Sequence, residues 1–151
     1  MIFSFCGHAD FSGTAEYEKR ILDFLEKRVG DTEAEMHLGG YGGFDQFAYE
    51  CCKKYKKAHP KIRLIYVTPY MTVEYQKKHL SEAQGRYDGI IYPAIEEKPL
   101  RYAILERNKC MVEMADCIIC AVTHCFGGAY QMYCYAKRKK KEIYNITGKE
   151  I

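Results

Sequence analysis

The chain has 151 residues, of which 48% are hydrophobic and 28% charged, and its formal net charge is +3. This composition excludes a disordered chain, and no apolar run approaches the roughly 20 residues of a membrane helix. The charge is modest, so we do not expect nucleic acid or a membrane as a partner. We expect one domain spanning residues 1–151. We also expect a cytoplasmic location, because the N-terminus has the pattern of a buried strand and lacks a secretion signal.

Short apolar runs alternate with amphipathic segments along the whole chain. The predicted strands are residues 2–6, 35–38, 62–68, 89–92, 117–122 and 142–146. Helices are predicted after a cap at residues 12–14, from residue 44, over 100–115 and over 130–140, and the polar segment 70–86 is interpreted as a short helix in a loop that covers the site. The alternation predicts an α/β fold, a three-layer Rossmann-like architecture with a mostly parallel sheet and helices on both faces.

Two glycine-rich turns stand where a predicted strand leads into a predicted helix. The first holds four glycines in five residues, 39–43, and the second holds Gly127 and Gly128. Glycines let backbone amides approach a phosphate at a helix N-terminus, and ligands of parallel sheets bind at the carboxyl ends of the strands. The alternative is that these glycines only end strands and cap helices. Asp45 either caps the helix or accepts a hydrogen bond from a ribose hydroxyl.

The eight cysteines do not have the pattern of a disulfide framework. Most of them fall inside regular elements, and Cys117 and Cys120 point to opposite faces of a strand, so their C-x-x-C spacing does not make a metal site. Convergence of Cys6, His8, Cys120, His124 and Cys125 at the strand ends leaves a thiol or metal site open. We expect reduced thiols, no metal and no cofactor.

The basic run at residues 137–141 lies at the predicted end of the last helix. Cations there complement the helix dipole, and the alternative is contact with nucleic acid or another anionic surface. Tyr41, Tyr70 and Tyr130 lie in or beside the loops expected at the carboxyl ends of the strands, where their rings can stack on a base. His8 follows the first strand, and it either donates to a phosphate or is structural.

Together, several motifs resemble the SLOG superfamily of Rossmann-like nucleotide-binding domains. They are residues 39–45, Glu106-Arg107-Asn108 with Met111, Ala115-Asp116 and Gly127-Gly128-Ala129. That superfamily includes the Lonely-guy phosphoribohydrolases and the DNA-processing protein A/Smf proteins. The segments Cys6-Gly7-His8 and Ala136-Lys137-Arg138 resemble its small stand-alone bacterial and phage members.

The resemblance implies a nucleotide or nucleotide-derived ligand, with its phosphate and sugar at the two glycine turns, and a homo-oligomer. Arg107 matches the arginine of the Lonely-guy R-K-x-x-M pattern, which implies a phosphate or ribose contact; a solvated surface arginine is the alternative. The expected ligand-binding residues are Gly7, His8, Gly39, Gly40, Tyr41, Gly42, Gly43, Phe44, Asp45, Tyr70, Arg107, Gly127, Gly128, Ala129, Tyr130 and Gln131.

The chain departs from the Lonely-guy enzymes at their catalytic glutamate, where it has Gln131 or Met132. Neither can act as a base, so hydrolysis would need a carboxylate from Glu106, Asp45 or Asp10. We therefore predict binding or sensing of a nucleotide first. The alternative is an N-glycosidic hydrolase of nucleoside 5'-phosphates, and a third hypothesis is an accessory protein of nucleic-acid processing.

Overall fold

The computed structural model describes residues 1–70, 72–75, 77–78 and 81–150. The strands are β1 (Ile2–Gly7), β2 (Ala34–Leu38), β3 (Ile62–Val67), β4 (Gly89–Ile91), β5 (Cys117–Ala121) and β6 (Glu142–Asn145). The helices are α1 (Ala15–Arg28), α2 (Gly42–Ala58), α3 (Val73–Tyr75), α4 (Ser81–Arg86), α5 (Ala103–Met114) and α6 (Gly128–Arg138).

The strands form one sheet in the order β4-β3-β2-β1-β5-β6, and each of its pairings is parallel. The predicted α/β, Rossmann-like fold is confirmed, with a sheet that is wholly parallel in the described residues. The central strand β1 pairs β2 on one side and β5 on the other. The connections therefore reverse direction beside β1, which places a crevice at its carboxyl end.

Helices cover both faces of the sheet because the strands are apolar on both sides. On one face α1 and α2 pack Ile21, Leu25 and Phe44 against alternate strand residues. On the other face α5 and α6 pack Met111, Val112 and Met132 against the remaining strand residues. Cys117 belongs to the first cluster and Cys120 to the second, so the predicted opposite orientation of these two thiols is confirmed.

The helix boundaries follow local capping chemistry. Thr14 caps α1, because its Oγ1 accepts a hydrogen bond from the Tyr17 N–H at 3.1 Å. The prediction of a helix from residue 100 is wrong for its first three residues, which form a 3₁₀ turn (Leu100–Tyr102) after Pro99. The last helix begins at Gly128, two residues before the prediction, because a glycine N-cap replaces a side-chain cap.

The polar segment 70–86 contains the short helices α3 and α4. Residues 71, 76, 79 and 80 of that segment lie outside the described residues, as does residue 151. Its predicted role as a cover for the site stays a prediction. Among the described helices, none combines the length and the apolar character needed to cross a membrane.

Candidate functional site

A cavity of about 480 Å³ lies at the carboxyl ends of β1, β2 and β5. Its wall comes from the loop after β1, the glycine loop between β2 and α2, the loop between β5 and α6, and one face of α5. This is the crevice that the strand order creates. Its volume is that of a site for a small organic ligand.

The structure brings most of the predicted ligand-binding residues to this cavity. Those on its wall are Gly7, His8, Gly39, Tyr41, Gly42, Asp45, Arg107, Gly127, Gly128 and Ala129. Those outside the lining are Gly40, Gly43, Phe44, Tyr70, Tyr130 and Gln131. Tyr130 and Gln131 instead line a second hollow, between α5 and α6. Ligand contact by any of these residues stays a prediction.

The dense glycines of the β2–α2 loop serve close packing between protein segments. A Cβ on Gly42, whose φ is +81°, would lie 2.7 Å from the Ala9 Cα, and one on Gly43 would lie 2.4 Å from the Phe11 carbonyl oxygen. The Phe44 ring is fully buried and occupies the space where a Cβ on Gly7 would stand. Phe44 is therefore a core residue, and the glycines near it admit the neighbouring chain.

The loop after β1 is hydrogen-bonded to both loops beside it. The Gly43 N–H donates to the Ala9 carbonyl oxygen at 2.7 Å, and the Thr123 N–H donates to His8 Nε2 at 3.1 Å. Because Nε2 accepts this hydrogen bond, the neutral His8 ring carries its proton on Nδ1. Burial, and then the neighbouring His124, lower the pKa of His8, which favours that neutral form.

The N-terminus of α6 has the opposite character, because its amides are open. Gly127 is its N-cap, with φ at +90°, and no side chain caps the helix. The N–H groups of Gly128, Ala129 and Tyr130 donate to no described residue. A Cβ on Gly128 meets no atom within 4 Å. This helix end therefore presents free donors and the positive end of the helix dipole beside the cavity.

Arg107 is the one cation among the described residues of the cavity wall. Its side chain is 2% exposed, so the alternative of a solvated surface arginine is excluded. Nη1 donates to the carbonyl oxygens of Gly39 (2.9 Å) and Val67 (2.6 Å), and Nε donates to Asn108 Oδ1 at 2.9 Å. Nη2 has no hydrogen-bond partner among the described residues. Burial lowers the pKa of Arg107, and the nearby Asp45 opposes that effect.

Asp45, in the first turn of α2, is hydrogen-bonded to the N-cap residue Tyr41. Its Oδ2 accepts a hydrogen bond from the Tyr41 N–H at 2.7 Å, so the capping alternative matches the geometry. Burial raises the pKa of Asp45 to about 6, while the Tyr41 hydrogen bond and Arg107 lower it. The carboxyl is therefore largely ionised at neutral pH. Because its pKa is raised, a bound phosphate could shift it to the neutral form, which does not repel the phosphate.

A row of rings forms the wall of the cavity below the α6 N-terminus. The rings of His8 and His124 stack with centroids 3.5 Å apart, and the Phe126 ring lies 4.0 Å from that of His124. Phe126 is 69% exposed, which is unusual for a phenylalanine. Its neighbour Cys125 is the cysteine of the chain with an exposed side chain. The row supplies an apolar, planar surface suited to a base.

The carboxylate candidates divide between wall and surface. Asp10 and Asp45 line the cavity, whereas Glu106 does not and instead pairs with Lys109 at 3.6 Å. At the position of the Lonely-guy glutamate, Met132 faces the cavity and Gln131 lines the second hollow. No carboxylate of α6 therefore reaches the cavity in the described residues.

Several cavity residues outside our expected set lie on α5 and in the loop before α6; the others are Phe5, Cys6, Ala9 and Met132, together with the carboxylate candidate Asp10. Ile104, Asn108 and Met111 share one helical face with Arg107, since they are spaced by three or four residues. That spacing was the available signal. His124 and Phe126 carry no such pattern, because an irregular loop determines their position.

Two solved structures are similar to this chain in fold. One is DNA processing protein A from Streptococcus pneumoniae, with a TM-score of 0.65 and 15% identity over 95% of this chain. Another is the Helicobacter pylori protein of the same name, with a TM-score of 0.60 and 20% identity over 95% of this chain. This chain has the fold of a part of DNA processing protein A. The resemblance to the SLOG superfamily is confirmed at the level of the fold.

The chain spans 49% and 63% of those two proteins. No protein-family model matches it, and no curated protein matches it significantly. The Helicobacter pylori protein is described as binding single-stranded DNA. Our expectation that nucleic acid is not a partner is therefore wrong. It was inferred from the modest net charge, yet a protein of this fold binds single-stranded DNA.

Proposed function

We propose that the protein is a single nucleotide-binding domain that holds the phosphate of its ligand in the cavity beside β1. The observation that carries this proposal is Arg107. Three of its donor contacts fix the guanidinium, and Nη2 stays unpartnered among the described residues, in a side chain that is 2% exposed on the cavity wall. A buried guanidinium with an unused donor pair is suited to an anion, since charged hydrogen bonds are strong in such surroundings.

The α6 N-terminus supports the same proposal from the other side of the cavity. Its free amides and uncapped dipole favour negative charge, and Gly128 leaves open space in front of them. The Phe126 ring, 69% exposed and beside these amides, offers a face for the base. Phosphate and base would then have separate places within a cavity of about 480 Å³.

Binding fits the cavity better than hydrolysis. A hydrolase of the Lonely-guy type needs a carboxylate at the sugar, whereas Met132 stands at that place on α6. Asp45 lines the wall, but its Oδ2 already accepts the Tyr41 N–H, which leaves Asp10 as the cavity carboxylate that hydrolysis would need. A second candidate function is the binding of single-stranded nucleic acid, and the fold neighbour that binds single-stranded DNA favours it.

The test is retention of nucleotides by the purified protein. The protein is incubated with nucleotides, cyclic nucleotides and ADP-ribose derivatives, and mass spectrometry identifies the retained and the released molecules. We expect one phosphate-bearing ligand to be retained intact. Free base released in multiple turnovers would favour the hydrolase instead, and retention of no nucleotide at all would refute binding in the cavity.

Gly128→Val is the variant that tests this position, because a Cβ added there meets no protein atom within 4 Å. Gly85→Val in α4 is its control, since a Cβ on Gly85 also meets nothing within 4 Å and the residue is not on the cavity wall. Gly128→Val should lose the ligand while Gly85→Val retains it, with both variants folded by circular dichroism. Equal retention by both variants would contradict the proposed phosphate position.

A further inference from the structure

A second hollow, the α5–α6 groove, lies beside the cavity. Its volume is about 290 Å³, and the residues that matter here are Asn108, Lys109, Tyr130, Met132, Tyr135 and Arg138. Asn108 and Met132 line both the groove and the cavity, so these two side chains form the boundary between the two neighbouring spaces. A ligand that extends from the cavity past Asn108 and Met132 would reach the groove.

Positive charge accumulates around one ring in this groove. The Lys109 Nζ, Arg138 Cζ and Lys139 Nζ atoms lie 5.9, 5.6 and 5.5 Å from the centroid of the Tyr135 ring. Lys109 pairs with Glu106, but Arg138 and Lys139 make no ion pair with any described residue. The Tyr135 hydroxyl donates to Glu113, which fixes the ring in place. Glu106 and Glu113 offset part of this charge, and the two cations without an ion pair leave a site that favours an added anion.

Asn108 connects the two spaces through its amide. Because the Arg107 Nε–H can only donate, the Asn108 atom that faces it is the Oδ1 acceptor, and the Nδ2 donors point away from Arg107. Those Nδ2 donors meet no described acceptor. The boundary of cavity and groove thus carries an open hydrogen-bond donor, with basic side chains beyond it.

We propose that the α5–α6 groove binds the sugar–phosphate backbone of a single-stranded oligonucleotide whose neighbouring nucleotide occupies the cavity. Arg138, Lys139 and Lys109, which surround the Tyr135 ring, contact phosphates, and the Tyr130 ring contacts an unpaired base. A volume of about 290 Å³ suits a single nucleotide, and rings can stack only on bases that a duplex does not enclose. This proposal rests on the proposed binding of a nucleotide phosphate in the cavity, and it extends the ligand from a mononucleotide to a strand.

The test is a titration with thymidine monophosphate and with oligothymidylates of up to about ten nucleotides, at several salt concentrations. We expect the affinity to rise with length over the first few nucleotides and then to level off. The double variant Arg138→Gln/Lys139→Gln should bind the longest oligonucleotide about tenfold more weakly. Its plot of log affinity against log salt should be shallower by about 1.4, from two lost single-strand phosphate contacts at roughly 0.7 each.

Lys53→Gln/Lys57→Gln is the matched control, because it removes the same charge from the exposed surface of α2, on the opposite face of the sheet. It should leave both the affinity and the salt slope nearly unchanged, and the groove variant should leave thymidine monophosphate binding unchanged. An equal loss in both double variants would overturn the groove. So would an acidic peptide of matched charge that competes as well as the oligonucleotide.

The experiments distinguish failure of the groove proposal from failure of the cavity proposal. If oligonucleotide binding survives Arg107→Leu and Gly128→Val but is lost in the groove variant, the cavity proposal is wrong and the groove is a phosphate site of its own. If the protein binds the monophosphate and an oligonucleotide with the same affinity, the groove proposal is wrong and the cavity stands. Absence of binding by every probe overturns both.

Discussion

The two glycine loops of this protein resemble each other in sequence but differ in what their glycines do. In the β2–α2 loop the Tyr41 N–H is taken by Asp45 and the Gly43 N–H by Ala9, and Cβ atoms on Gly42 and Gly43 would strike the loop after β1. In the β5–α6 loop the first helical amides are open, and a Cβ on Gly128 would strike nothing. A run of glycines can thus mark close packing of segments as readily as a phosphate site.

The difference assigns the loops complementary tasks. In the β2–α2 loop, Asp45 and Ala9 accept the N–H groups of Tyr41 and Gly43, and the Gly39 carbonyl accepts from the guanidinium of Arg107. The β5–α6 loop leaves its donors for a ligand. The predictions below test this division, from the largest expected effect to the smallest.

Gly42→Ala and Gly128→Ala compare the loops directly. At Gly42 the left-handed φ of +81° and the contact with Ala9 both penalise a methyl group, so we expect the free energy of unfolding to fall by roughly 2 to 5 kcal/mol. At Gly128 we expect a change within about 0.5 kcal/mol. Urea unfolding measures both. Similar losses would mean that the loops are equally packed and would end the comparison.

Asp45→Asn tests the self-contained first turn of α2. Because the pKa of Asp45 is about 6 in the folded chain against 3.8 as a reference, the folded state keeps the proton to higher pH. Its stability should therefore fall, by roughly 2 to 3 kcal/mol, as the pH rises from about 4 to 6, and stay level above that. Asparagine can still accept the Tyr41 N–H but does not titrate.

The measurement is the difference in unfolding free energy between the original chain and Asp45→Asn, across this pH range. The lowered pKa of His8 gives a slope of the opposite sign, and the difference cancels it. A difference that does not change with pH would mean that the Asp45 carboxyl is not held in a buried, desolvated position.

Arg107→Lys keeps a positive charge but loses the planar fork. A lysine cannot reach both the Gly39 and Val67 carbonyls and still offer a donor to the cavity, so we expect at least about a tenfold loss of nucleotide affinity. Calorimetric titration measures it, with Arg101→Lys on the exposed surface as the control. Unchanged affinity would show that charge alone suffices and that the anchored geometry is irrelevant.

Phe126→Ala examines the base side of the β5–α6 loop. Loss of one stacking ring costs about 1 kcal/mol or slightly more, so we expect roughly fivefold weaker nucleotide binding without loss of stability. Leu100→Ala, at a side chain of similar exposure away from the cavity wall, controls for loss of surface apolar area. Inorganic phosphate should bind Phe126→Ala normally, and a parallel loss of phosphate binding would place the effect elsewhere.

Periodicity and turn chemistry were enough to predict the architecture. Strands such as β3 are short, apolar and closed by proline, and α2 shows one buried stripe, so both could be predicted with boundaries close to those observed. A sequence motif also identified Arg107 as a candidate ligand-binding residue. Its hydrogen bonds to the Gly39 and Val67 carbonyls could not be predicted, because these residues are far from Arg107 in sequence and meet it only after folding.

The site residues that lie in loops were harder to predict from the sequence. Density of glycine favoured the β2–α2 loop, yet Gly40, Gly43 and Phe44 are outside the cavity lining. The reason is that a glycine admits any close neighbour, whether a phosphate or another segment of the chain. The stacking of His124 between His8 and Phe126 had no sequence signal either, since it depends on the path of an irregular loop.

The distribution of thiols gives the molecule a built-in attachment point. Cys6, Cys51, Cys52, Cys117 and Cys120 are buried, and burial raises the pKa of Cys51 to about 12 and of Cys117 to about 11, so these sulfurs react slowly with alkylating reagents. Cys125 is exposed and adjoins Phe126 at the mouth of the cavity. Cys110 and Cys134 are half-buried, so a maleimide dye would attach first at Cys125, and in a Cys110→Ser/Cys134→Ser variant its emission would report occupancy of the cavity.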